Sequence, residues 1–131
     1  MKFYIAAKFE LKEQVREIYG ILHNLGHEIT LDWTTHLPIK PYGQNQEIAK
    51  KYTAEDIDGI RKADVFILLS KDATGTGTFV ELGSAILSNL NNGKPLVYVI
   101  GEDTTSMFYF HPSVKRRKNL NEILKELKII K

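Results

Sequence analysis

Val65-Phe66-Ile67-Leu68-Leu69 is a five-residue run without a single polar side chain. A strand of that composition is apolar on both faces and has to be covered on both. Phe3 to Ala7 and Pro95 to Ile100 read as strands too. Segments of helical period lie between them. From Leu11 to Leu25, the residues Val15, Ile18, Ile21, Leu22 and Leu25 recur at helical spacing, and Gly26 follows as a stop. Glu28 to Trp33 reads as a second strand, Glu47 to Ala63 as a second helix and Phe79 to Asn91 as a third. A weak strand near Val114 and a helix over 120–128 close the chain.

Strands alternating with helices predict a parallel sheet with helices on both sides. The expected fold class is α/β: one doubly wound, flavodoxin-like or Rossmann-like domain over residues 1–131, with a four- to five-stranded parallel sheet. The segment 34–46 carries Pro38, Pro41 and Gly43 and reads as a loop long enough to serve as a lid.

Such sheets bind ligands beyond the C-terminal ends of their strands. Gly75-Thr76-Gly77-Thr78-Phe79-Val80-Glu81 stands at that end of the third strand and opens the third helix. The reading puts Glu81 in the first helical turn, where the helix dipole favours an ionised carboxylate. Asp56 shares a helical stripe with Tyr52, Ile60 and Ala63, so it is an acid on an otherwise inward face. Glu55, Asp58, Arg61 and Lys62 fall on the opposite, solvated side. Tyr4 lies in the first strand before Ala6 and Ala7, whose small side chains let a ligand approach the backbone. Taken singly, Tyr4 could be a core tyrosine, Asp56 a structural carboxylate and Glu81 a dipole partner. Together, two acids from different elements at one cleft are the equipment for breaking a glycosidic bond.

Other features exclude more than they suggest. Cysteine is absent, which removes disulfides and thiolate metal sites. His23 and His27 are split by Gly26 and lack a third ligand, so neither a metal nor any other cofactor is expected. A net charge of +2 is too small to argue for nucleic acid, and the cluster 115–118 (Lys-Arg-Arg-Lys) reads as a solvated edge. No apolar run reaches the ~20 residues of a membrane span, and the first residues lead directly into a strand, so a cytoplasmic protein is expected. Trp33 and His36, and His111 with Phe108 to Phe110, could line a base pocket or simply pack. The glycine loop lacks the Lys-Ser/Thr ending of a Walker motif and does not follow the first strand as a dinucleotide fingerprint would.

Three segments carry a resemblance: Tyr4-Ile5-Ala6-Ala7, the stretch from Glu55 to Val65, and Phe79-Val80-Glu81-Leu82-Gly83-Ser84-Ala85. In order and spacing the chain resembles the nucleoside 2-deoxyribosyltransferase family, whose superfamily includes 2′-deoxynucleoside 5′-phosphate N-hydrolases. The resemblance implies Glu81 as nucleophile at C1′ of the sugar, Asp56 as acid/base partner and Tyr4 as the residue that orients the nucleophile. It implies a small-molecule nucleoside or nucleotide as partner and a homo-oligomer in which a neighbour helps close the site, with Ser106-Met107 near that segment. Gly75 stands where the transferases carry a base-reading aspartate and the hydrolases a phosphate-holding serine. Lys8 and Glu10 replace the hydrolases' serine and arginine after the first strand. Base preference and phosphate recognition therefore do not transfer. Lys8, Thr74, Thr76 and Thr78 are candidate substitutes for anion binding, with Ala7, Trp33, Gly75, Gly77 and Ser106 as further substrate contacts. Gly77 to Glu81 also fits the Gly-Thr-x-x-Glu of cytokinin-type phosphoribohydrolases, although Ala73-Thr74-Gly75 replaces that family's Pro-Gly-Gly. A non-catalytic nucleotide-binding module is the third reading, since such folds host many functions.

Overall fold

The apolar runs become the central strands. In a computed structural model, which describes residues 1–73 and 75–131, β1 is Lys2–Ala6, β3 is Val65–Leu69 and β4 is Leu96–Ile100. All five residues of β3 are buried, as a strand covered on both faces must be. The edge strands are β2 (Glu28–Ile29) and β5 (Val114–Arg117). The sheet order is β2-β1-β3-β4-β5, and every pairing is parallel. That is the doubly wound α/β architecture the alternation predicts, with the flavodoxin-like strand order.

The helices are α1 (Lys12–Asn24), α2 (Gln46–Lys62), α3 (Thr76–Asn92) and α4 (Leu120–Glu126). Helices α2 and α3 pack on each other and on β1. Val15, Tyr19 and Leu22 form the buried stripe of α1, whereas Ile21 and Leu25, expected inside, are 44% and 40% exposed. The helical spacing located the stripe but overstated its width.

Two boundaries and one surface cluster differ from expectation. The second strand ends at Ile29 instead of Trp33. Beyond it the chain turns through a short 3-10 segment, Trp33–Thr35, where the Asp32 carboxylate accepts from the Thr34 backbone N–H. Helix α3 begins at Thr76, three residues early, with Gly75 as its N-cap in extended conformation. Glycine and threonine are weak helix formers, but Thr78 and Leu82 are buried there, and tertiary packing overrides propensity. The basic cluster is not simply solvated. Arg116 donates to the carbonyls of Gly101 and Asp103, and Arg117 pairs with Glu126 of α4.

Gly101, just past β4, has φ +123°, and a Cβ built there would stand 2.3 Å from Ser70 Oγ. Only glycine brings the ends of β3 and β4 this close at the edge where ligands are expected.

Candidate functional site

Tyr4 is fully buried in β1, with its ring parallel to that of Phe66 on the neighbouring strand at 5.9 Å. Its hydroxyl donates to Glu81 Oε2 on α3. This contact spans 77 residues and joins the first strand to the third helix. Asp56, half-buried on α2, bears on both groups: its charge raises the pKa of Glu81 and of Tyr4 and so favours their protonated forms. Three elements far apart in sequence thus deliver a phenol and two carboxyls to one place.

Glu81 sits on the sixth residue of α3, in the second turn, not in the first as the sequence suggested. There the helix dipole is spent, and burial dominates. Burial pushes the Glu81 carboxyl up to about 8, with the Tyr4 hydrogen bond pulling down and Asp56 pushing further up. The expectation of a dipole-stabilised, always ionised carboxylate is therefore corrected. Burial likewise lifts Asp56 to about 6; the charge of His36 opposes this and that of Glu55 adds to it. Asp56 Oδ1 is enclosed and has no hydrogen-bond partner among the described residues. Tyr4 is raised far above the ordinary phenol range by burial and by the two carboxylates, so it stays a proton donor to Glu81.

A second layer stands behind Asp56. His36 stacks flat on Tyr52 (3.8 Å, 7°), one helical turn before Asp56, and its Nε2 is 3.7 Å from Glu55 Oε2. Glu55, assigned to the solvated face, is thus half-buried against a ring. Tyr52 and Glu55 meet the loop that precedes α2, and nothing in local periodicity marks a loop histidine as their neighbour. Gly59 is the other residue that sequence reasoning passed over. Its signal was a glycine in the middle of a helix, three residues after the acid.

The remaining candidates separate. Lys8 Nζ lies 3.9 Å from Asp72 Oδ2, so the residues after β1 and β3 meet at the C-terminal edge. Gly75, Thr76 and Gly77 are exposed at the start of α3, and Thr78 is buried. Ala7 is 9% exposed. Trp33 is 7% exposed, and its indole N–H bonds to the Ile5 carbonyl near the end of β1. Ser106 caps a short 3-10 segment by accepting from the Phe108 N–H. Thr74 lies outside the described residues. His27 contacts the N-terminal amine and stands edge-on to Phe3. Among the described residues no three His, Asp or Glu side chains gather as metal ligands, and no helix is long and apolar enough to cross a membrane.

No family model and no curated protein matches the chain. Among solved structures it is similar to a Clostridium botulinum CMP N-glycosidase, BcmB, with a TM-score of 0.62 and 18% identity, covering 98% of this chain and 99% of that one. At that identity the likeness is one of fold, over the full length of both chains.

Proposed function

We propose that this chain breaks the N-glycosidic bond between base and sugar of a nucleoside or nucleotide. The supporting observation is the hydrogen bond from Tyr4 to Glu81, with Asp56 acting electrostatically on both. The Glu81 carboxylate attacks the anomeric carbon as the C–N bond breaks. The departing base takes the proton that Asp56 holds. Water, or a second base, then attacks the glycosyl–Glu81 ester, gives its proton to Asp56 and frees the Glu81 carboxylate. Tyr4 holds the nucleophile in line and keeps it partly ionised despite its burial. No metal or cofactor is needed for these steps. The fold neighbour acts on CMP, which favours a nucleotide among the candidate substrates. Ala7, Lys8, Gly75, Thr76, Gly77 and Thr78 border the end of the sheet and are the residues proposed to hold sugar and any 5′-phosphate.

The test is incubation with ribo- and deoxyribonucleosides and their 5′-monophosphates, followed by chromatography for free base. Release of base from none of them overturns the proposal. Tight binding without release makes the chain a nucleotide-binding module. A second free base in the same reaction separates transfer from hydrolysis.

A homo-oligomer belongs to the same proposal. Val80, Leu87 and Leu90 are about 60% exposed on α3, and Met107, Phe108 and Phe110 are exposed on the β4–β5 loop that carries Ser106. Exposed apolar groups in such number mark association surfaces. Leu87→Lys is expected to yield a folded monomer by sedimentation where the parent chain sediments as an oligomer. A parent chain that is monomeric at all concentrations removes this part of the proposal.

A further inference from the structure

We propose that Gly59 is a positioning residue of this site: lacking a side chain, it lets α2 seat directly on the Tyr4 ring, which aims the Tyr4 hydroxyl at Glu81 and carries Asp56, one helical turn earlier, toward the same carboxyl. The inference rests on the functional reading above and adds a residue to it.

The geometry is specific to this glycine. A Cβ at position 59 would stand 3.0 Å from Leu31 Cβ and 3.2 Å from both Cδ2 and Cε2 of Tyr4. Gly20, Gly77 and Gly83, the other glycines inside helices, would place a Cβ in open space. Neither neighbour of Gly59 has freedom to yield. Leu31 Cβ is tied to its backbone. The Tyr4 ring is fully buried, lies parallel to Phe66 and has its hydroxyl committed to Glu81. The strain of an added methyl group therefore falls on α2, which must move outward by a few tenths of an ångström, or on the Tyr4 ring, which must rotate away from Glu81. Asp56 is three residues before Gly59 on α2 and moves with the helix. Both displacements loosen the phenol–carboxyl–carboxyl arrangement. Catalytic geometry tolerates little of this: misplacement by about 1 Å costs on the order of a hundredfold in rate.

The experiment compares Gly59→Ala with Gly20→Ala, an exposed helix glycine whose added Cβ meets nothing. Turnover and KM for base release are measured, and the Glu81 carboxyl is titrated by 13C NMR. In Gly59→Ala, kcat is expected to fall by about tenfold or more while KM stays within about twofold. The Glu81 midpoint is expected to move, upward where the Tyr4 hydrogen bond that holds it down is weakened and downward where Asp56 withdraws with α2. Gly20→Ala should leave both readouts at parent values. A Gly59→Ala protein that is merely less stable, with parent kcat and parent Glu81 midpoint, overturns the proposal. If Gly59→Ala does not fold, Phe66→Leu loosens the same ring from the neighbouring strand without a clash. A raised Glu81 midpoint there supports the clamp, and a parent midpoint overturns it. Should the parent chain release no base from any substrate, the functional reading fails, while the NMR midpoint still decides whether Gly59 positions Tyr4 against Glu81.

Discussion

Glu81→Gln is expected to lose at least about 1,000-fold of base release, an activation cost of ~4 kcal/mol, and yet to yield a more stable protein. Glutamine keeps the size of the side chain, and its carbonyl still accepts from Tyr4, but it has no electron pair able to form the glycosyl ester. The stability gain follows from linkage. The Glu81 carboxyl is raised from an ordinary value near 4.5 to about 8 in the fold, mainly by burial. A raised acid is held neutral by the fold. Its contribution is intact below about pH 4.5 and is lost as pH rises through 8. At pH 7 that loss is on the order of 3 kcal/mol, and glutamine, which never ionises, avoids it. Denaturant unfolding at pH 5 and pH 8 should show the parent weakening with pH in this window and the Gln variant weakening less. A variant that turns over at the parent rate removes Glu81 as nucleophile. One that is inactive yet equally sensitive to pH leaves the buried carboxyl elsewhere.

Asp56→Asn is expected to lower the rate by about 10²- to 10⁴-fold, the range for a general acid, and to change the shape of the pH profile. With apparent values of about 6 and about 8, Asp56 and Glu81 together hold one proton near neutrality. The reactive form carries that proton on Asp56 and the charge on Glu81. The kcat/KM profile of the parent should therefore be a bell with its maximum between those values. Below the lower value both groups are protonated and the nucleophile is lost. Above the upper value neither can protonate the base. In Asp56→Asn the upper limb should vanish. The remaining limb should then follow Glu81 alone, above the parent's lower limb near 6 because burial still raises that carboxyl, and below about 8 because the neighbouring charge is gone. A substrate whose base leaves without protonation, such as an N7-methylated purine nucleoside, should be far less affected than its unmethylated parent. Equal losses on both substrates, with a bell still present, would assign the proton to another group.

Local patterning carried the architecture. The apolar runs at Phe3, Val65 and Leu96, each followed by a segment of helical period, leave few alternatives to a parallel sheet covered on both faces. Tyr4, Asp56 and Glu81 were also readable as candidates: a polar tip on a strand, an acid on an inward stripe, an acid behind a glycine loop. What that patterning reports is the direction of a side chain relative to its own helix or strand. The tertiary structure decided everything that depends on a neighbour from another element. Packing of Thr78 and Leu82 drew α3 back to Thr76, which put Glu81 in the second turn, and burial there raises its carboxyl instead of leaving it ionised. Trp33 found a partner for its indole N–H in the Ile5 carbonyl of another element. Glu55 faced His36 instead of water, and Gly59 acquired its importance from the ring of Tyr4, 55 positions earlier in the chain. Periodicity is a property of neighbours along the chain. Desolvation, charge–charge coupling and steric contact act between neighbours in space, and only folding chooses those.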